Sequence, residues 1–398
     1  MKKEIKKIVV AYSGGLDTSV MLRWFKETYQ CQVVAFTADI GQEEELSGLK
    51  EKALLTGADD FYVADLKEEF AKDFVFPALA GGAVYEDNYL LGTSVARPVI
   101  AKKQIEIAAD VGADAVAHGA TGKGNDQVRF EFGYYALNPN IQVIAPWREW
   151  PFKSRTDLLH YAKQHEIPVT AAADKMYSMD RNLMHISYEG GILEDPWIEP
   201  PHDLFILTKN PEDAPDKGKT IELAFEKGHC VSIDRNKGTP GKILHDLNEL
   251  AGEHGVGRID IVENRFVGIK SRGVYETPGA TVLHQALRGL ESIVLDREVL
   301  HLRQSLSLKF AELIYNGYWF SPEFSLIRSS MDQIAQRLTG TVRVKLYKGH
   351  CYLLGRKSDL TLYSPELATF EEDSVYDQKN AEGFIKISAL RLSHYGTK

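Results

Sequence analysis

The sequence predicts an α/β protein: a doubly wound parallel sheet, then an α+β domain, then a C-terminal helical arm. Three observations carry this. The chain has 398 residues, more than one core serves at roughly 100–200 residues per domain. Up to residue 170, short apolar runs alternate with helix-period segments, as in a sheet wound by helices. Beyond it, apolar and polar residues alternate, as in strands with one wet face. The division expected is 1–170, 171–370 and 371–398.

The elements follow in order. Ile8-Val9-Val10-Ala11 is continuously apolar, as a strand buried on both faces must be. A helix pattern starts near Thr18, and Val33-Val34-Ala35-Phe36 is a second strand. Glu43 to Thr56 reads as a helix opening on acidic residues, stopped by Gly57 before a strand at Phe61-Tyr62-Val63. Arg97 to Val111 reads as a helix with Pro98 in its first turn. Strands at Ala115–Ala117 and Val143–Ala145 and a helix from Ser154 to His165 complete the first part. In the second, strand patterns at Ile221-Leu223-Phe225, Val231-Ile233 and Val342-Val344-Leu346 are separated by helical patterns at 240–254, 280–290, 294–316 and 322–338. From Gln378 on, Phe384, Ile387, Leu390 and Leu392 form a short amphipathic pattern suited to docking on a partner subunit.

Composition narrows the functional class. Hydrophobic residues are 44% and charged residues 26%, which excludes a disordered or fibrous chain. The net charge of −9 argues against gripping a long polyanion, so no nucleic-acid partner is expected. Cys31, Cys230 and Cys351 have no metal or disulfide spacing and read as reduced thiols of a cytoplasmic protein. No run approaches the ~20 apolar residues that span a bilayer, so no membrane role is expected.

Ala11-Tyr12-Ser13-Gly14-Gly15-Leu16-Asp17-Thr18-Ser19 joins the first strand to the first helix. Paired glycines let the backbone turn sharply and present its N–H groups, and the helix start adds its positive end. Hydroxyls from Ser13, Thr18 and Ser19 complete a cradle for a pyrophosphate. It is not a Walker A loop, since Gly218-Lys219-Thr220 has Asp213 where the first glycine should stand. A second string, Gly119-Ala120-Thr121-Gly122-Lys123-Gly124-Asn125-Asp126-Gln127-Val128-Arg129, follows the fourth strand and is expected to face the first across the crevice. Its hydroxyl, amide, carboxylate and guanidinium suit a zwitterionic amino acid. His118 beside it reads as a packed histidine rather than a base. Ser178 and Ser187, nine positions apart, are candidates for one pocket, within what reads equally as a capped loop. Glu263 ends a strand pattern, and Ser271 to Gly279 reads as a turn before a helix, from which a carboxylate and the Tyr275 phenol could reach the cleft.

The first string resembles the PP-loop of ATP pyrophosphatases, which cleave ATP between the α and β phosphates. Together with Thr121 to Arg129, Tyr177 to Asn182 and Ser271 to Gly279, it resembles the argininosuccinate synthase family over essentially the whole chain. The resemblance implies a ligase that joins citrulline to aspartate through citrullyl-AMP, releasing AMP and pyrophosphate, in arginine biosynthesis. It implies ATP held by Ala11 to Ser19, Ala38 and Gly119, with Mg²⁺ arriving on the ATP and protein ligands for it unassigned. Citrulline would be held by Tyr89, Ser94, Asn125, Arg129, Ser178, Ser187, Glu263 and Tyr275, and aspartate by Thr121, Asn125 and Asp126. Ser13, Asp17, Asp126 and Arg129 are the catalytic candidates, and the assembly implied is a homotetramer. The rival is a PP-loop tRNA-modifying enzyme, which shares the ATP chemistry but calls for a basic surface or an RNA-binding module.

Overall fold

A computed structural model describes residues 4–43, 46, 48–168, 177–371 and 375–396. The expected junction at 170/171 lies outside them. The first strands and helices are β1 (Lys7–Ala11), α1 (Leu16–Tyr29), β2 (Gln32–Asp39), α2 (Leu49–Thr56), β3 (Asp60–Asp65), α3 (Gly92–Asp110), β4 (Ala115–Ala117), α4 (Asp126–Leu137), β5 (Gln142–Ile144) and α5 (Arg155–Gln164). The five strands form one parallel sheet in the order β3-β2-β1-β4-β5. Chain order reverses between β1 and β4, so their carboxyl-end loops open onto the crevice where a doubly wound sheet takes its ligand. Ile8, Val9 and Val10 are fully buried, because helices cover both faces.

In this first part three details differ from the sequence reading. Helix α2 starts at Leu49, behind a left-handed Gly48 (φ 84°), rather than at Glu43. Helix α3 starts at Gly92, so Pro98 lies inside it and not in its first turn. The string after β4 is only in part a loop: Asp126 and Arg129 stand on the first turn of α4.

The second part opens with β6 (Ser178–Arg181) and β7 (Ile186–Glu189), a hairpin where a capped loop was an equal reading. There follow β8 (Lys219–Glu226), β9 (His229–Ile233), β10 (Asn236–Lys237), α6 (Pro240–Glu253), β11 (Arg258–Asn264), β12 (Lys270–Glu276), α7 (Pro278–Val294), α8 (Arg297–Tyr315), α9 (Pro322–Ala335), β13 (Gly340–Tyr347) and β14 (His350–Lys357). They make two sheets, β10-β9-β8-β13-β14 and β11-β12-β7-β6. Most of the stretch 271–279, expected to turn, is the strand β12, paired on both sides and buried from Arg272 to Glu276. In β13, Val342, Val344 and Leu346 are buried while Arg343 is exposed, as the alternation predicts. The last helix, α10 (Asn380–Gly396), buries no residue and exposes Phe384, Ile387, Leu390 and Leu392.

Candidate functional site

The turn after β1 is built on Gly14, whose φ of 76° lies in the left-handed region that favours glycine. Gly15 caps α1 with no side chain on its N-terminal amides, which are left for a ligand. The Gly15 N–H donates to Ser13 Oγ at 3.3 Å, and Ser13 Oγ lies 3.2 Å from Thr18 Oγ1. Tyr12 and Ser19 are buried, their hydroxyls 3.4 Å apart beneath the loop. Lys52 of α2 donates to the Gly14 carbonyl at 2.6 Å, which puts a cation against the loop. Nothing in the sequence singles Lys52 out, because its partner is a backbone carbonyl 38 positions away. Burial raises the pKa of Asp17, with Arg155 opposing in part.

Gly119 connects this loop to the crevice. A Cβ there would come within 3.1 Å of Thr18 Cγ2 and 3.4 Å of Met21 Sδ, so a larger residue would push against the start of α1. Gly119 also lines a cavity of about 280 Å³ between the parallel sheet and the β11-β12-β7-β6 sheet. The crevice side contributes Tyr89, Thr121, Asn125, Asp126 and Arg129 to the wall, and the second sheet contributes Ser178, Ser187, Glu263 and Tyr275. Ten of the residues singled out from sequence thus meet in one cavity. Ala11 to Ser19 and Ala38 are not on its wall; the loop meets the cavity where Thr18 lies against Gly119. Ser94 is not on the wall either: it is fully buried, its hydroxyl unpartnered among the described residues, and Thr93 lines the cavity instead.

Strand pairing explains the serines. In the β6–β7 ladder Ser178 faces Glu189 and Asp180 faces Ser187, so nine positions of sequence become neighbours across a hairpin. On β12, Tyr275 donates to Glu263 Oε1 of β11 at 2.5 Å and stacks on Tyr89 with ring centroids 4.4 Å apart. Asn125 is held by the Phe266 N–H, which donates to Asn125 Oδ1 at 2.9 Å.

The charged groups form a tight set. Arg97 Nε and Nη2 donate to Asp126 Oδ2 at 2.9 and 2.7 Å, and Nη2 also reaches Asp180 Oδ2 at 2.5 Å. Arg129 Nη1 donates to Asp126 Oδ1 at 2.8 Å, and its Nε to the Tyr315 carbonyl at 2.8 Å. Loss of water contact would raise the Asp126 pKa, but Arg97 and Arg129 outweigh it and hold the carboxyl down to about 2. Asp126 is therefore a permanent anion at neutral pH, which suits it to receive an ammonium and makes it a poor general base. Glu189, 2.5 Å from Arg265, is pushed by burial up to about 7 in spite of that cation. His118 is fully buried, stacked on Phe130 at 5.5 Å and bonded to Glu131 at 3.2 Å: a packed histidine.

Sequence reasoning missed Arg97, Asp180, Glu189 and Arg265, all on the cavity wall. Asp180 sits inside the marked string Tyr177 to Asn182, and Asp180 and Glu189 lie two residues from Ser178 and Ser187 respectively, so period 2 along each strand places them on the same face. That spacing was the available signal.

Comparison with known proteins places the chain in a family. Family models match in two blocks: the arginosuccinate synthase N-terminal HUP domain over residues 7–168 and the arginosuccinate synthase C-terminal domain over residues 177–395. Argininosuccinate synthase of Geobacter sp. (strain M21) is 57% identical over 392 residues, covering 98% of this chain and 97% of that protein. The enzyme of that name from Desulfatibacillum aliphaticivorans is 58% identical over 392 residues, covering 98% of each chain. That from Syntrophus aciditrophicus (strain SB) is 57% identical over 394 residues, again covering 98% of each. Two family models spanning nearly the whole chain and relatives of 57–58% identity make the chain a member of the argininosuccinate synthase family.

Proposed function

We propose that the chain is an ATP-dependent carbon–nitrogen ligase that joins citrulline to aspartate, forming argininosuccinate, AMP and pyrophosphate. The observation that carries this is one cavity, bordered by an amide-rich loop, whose wall bears Asp126, Arg129, Glu263 and paired serines. In the first step the ureido oxygen of citrulline bonds to the α-phosphorus of ATP and pyrophosphate departs. In the second the aspartate amine bonds to the ureido carbon, and AMP leaves with the oxygen. Neither step needs a covalent bond to the protein, so the residues act by positioning and by charge.

The roles follow from chemistry. The amides of Gly14 and Gly15, with Ser13, Thr18 and Ser19, take the phosphates, and Ala38 and Gly119 border the nucleotide. Lys52 adds a cation behind the loop. Arg129 suits the citrulline carboxylate, and Glu263 with Tyr275 its polar end. Ser178, Ser187, Tyr89 and Asn125 complete that subsite, with Ser94 beneath it. Thr121, Asn125 and Asp126 hold aspartate. Among the described residues no cluster of three or more His, Cys, Asp or Glu side chains forms a metal cage. We assign Mg²⁺ to the ATP phosphates, with its protein ligands unassigned. In this reading residues 1–170 serve the nucleotide, 171–370 close over the amino acids, and 371–398 hold subunits of a cytoplasmic homotetramer through the exposed face of α10. Among the described residues no helix is long and apolar enough to cross a membrane.

Pyrophosphate release separates this reading from the tRNA-modifying one. Release from ATP is expected to require citrulline, to rise further with aspartate, and to be indifferent to RNA. Release that needs RNA and ignores citrulline would overturn it. The Asp126→Asn variant keeps the shape and removes the anion. Its aspartate KM is expected to rise about 10- to 100-fold, the worth of a hydrogen bond to a charged group, with the citrulline KM moving only a few-fold. Equal rises in both would remove Asp126 from the aspartate subsite.

A further inference from the structure

Arg97 takes no part in either bond-forming step, yet its guanidinium ties three elements together. It leaves α3, meets Asp126 on the first turn of α4 with two N–H groups, and meets Asp180 on β6 with one of the same pair. Asp180 faces Ser187 across the hairpin, two residues along from the pair Ser178 and Glu189. We propose that Arg97 is a positioning residue for the second half-reaction: it aims the Asp126 carboxylate at the aspartate amine and ties it to the hairpin that lines the citrulline side. This deepens the assignment of Asp126 to the aspartate subsite and rests on it.

The geometry restricts Asp126 closely. A carboxylate offers about four lone-pair sites. Arg97 takes the Oδ2 side twice and Arg129 takes Oδ1 at 2.8 Å, so an incoming ammonium meets the remaining sites in a fixed direction. Arg97 is held in turn: its guanidinium lies 5.8 Å from the Phe130 ring centroid, and its side chain is only 13% exposed. Charge balance points the same way. Asp126 and Asp180 share Arg97, and Arg129 brings a second positive charge, so the four groups sum to zero. Without Arg97 two neighbouring carboxylates would face one arginine, and Asp126 would lose the partner that fixes its plane. Lysine cannot replace it, because one ammonium does not present two coplanar nitrogens to two acids.

The first half-reaction uses ATP and citrulline, and the second needs the aspartate amine. Mis-aiming Asp126 therefore weighs on the second. The test uses Arg97→Lys in the full-length protein and measures two rates on the same preparation. One is single-turnover pyrophosphate formation from ATP and citrulline without aspartate, quenched in acid. The other is steady-state argininosuccinate formation at fixed, subsaturating aspartate. Their ratio cancels any loss of folded protein. The variant is expected to lose at least about ten-fold more in the second rate than in the first, with a raised aspartate KM. Asp180→Asn, which keeps an acceptor for Arg97, is expected to shift the ratio less than Arg97→Lys. An Arg97→Lys variant in which both rates fall equally, or neither falls, overturns the proposal. If Asp126→Asn raises the aspartate KM while Arg97→Lys leaves the ratio alone, the positioning role fails and the aspartate subsite stands. If Asp126→Asn leaves that KM unchanged, both fail together.

Discussion

Gly14→Val is expected to remove ATP use while leaving the fold in place. Position 14 has a φ of 76°, and a Cβ there would lie 2.5 Å from Leu49 Cδ2. The leucine tip can move, so the clash alone is not decisive. The dihedral is: a left-handed backbone costs an L-residue roughly 1–2 kcal/mol, and β-branching makes it worse. The loop is expected to relieve this by turning its amides away from the phosphates, and the Gly14 carbonyl would leave Lys52, which it meets at 2.6 Å. Losing one preorganised donor costs about 10²–10³ in rate, and here a row of amides moves together, so kcat/KM for ATP is expected to fall about 10³-fold or more. The loop lies at the surface, with Ser13 and Gly15 exposed, so Tm is expected to fall by only a few degrees. Pyrophosphate release and a thermal melt on one preparation check both halves. A variant within a few-fold of normal ATP use would sink the phosphate-loop reading.

Gly14 was legible because a loop that takes phosphate with backbone amides needs glycine there, and a string between a buried strand and a helix writes that need into consecutive letters. β1 and β2 were legible for a related reason: with both faces covered, their central runs Ile8–Ala11 and Val33–Phe36 are apolar without interruption. α4 escaped notice because it covers the sheet with one side and meets Phe320 with another. Gly133 sits between α3 and Phe320: a notional Cβ there would lie 3.0 Å from Ala101 Cβ of α3 and 3.8 Å from Phe320 Cε2. Such a helix shows no clear polar face, and its glycine-rich approach reads as loop. α3 was cut short because Pro98 was read as a start signal. A proline here forfeits only the hydrogen bond to the Ser94 carbonyl, and tight burial on the sheet carries the helix through it. The charged set was illegible for a different reason: Arg97 and Asp180 stand 83 positions apart, and no local pattern records a pairing made by tertiary structure.

Glu276 belongs to this last class, and its removal is expected to produce the largest stability loss. It follows Tyr275 on β12, so the two side chains leave opposite faces of the strand. Tyr275 faces the cavity, and Glu276 is fully buried on the other side. Five donors converge on it: Tyr188 Oη at 2.6 Å, the N–H groups of Ile206, Leu207 and Thr208 at 2.9, 3.0 and 2.7 Å, and Thr208 Oγ1 at 2.6 Å. Arg258 closes the arrangement by donating to Thr208 Oγ1 at 2.7 Å while lying 3.7 Å from the Phe205 ring centroid. One carboxylate therefore anchors residues 205–208 to the sheet that carries Tyr275. Glu276→Gln keeps the volume but turns one acceptor into an NH₂ group among donors, leaving buried N–H groups unpaired. Breaking a buried charged network this way costs about 3–5 kcal/mol. At roughly 2–4 °C per kcal/mol for a domain of this size, Tm is expected to drop by about 10 °C. The effect on catalysis should be secondary and fall on citrulline, because β12 also positions Tyr275 against Glu263. Thermal melts with and without citrulline read both effects. An unchanged Tm would mean that the five contacts do not hold the segment. A loss of ATP binding with citrulline binding intact would place the damage on the wrong side of the cavity for this account.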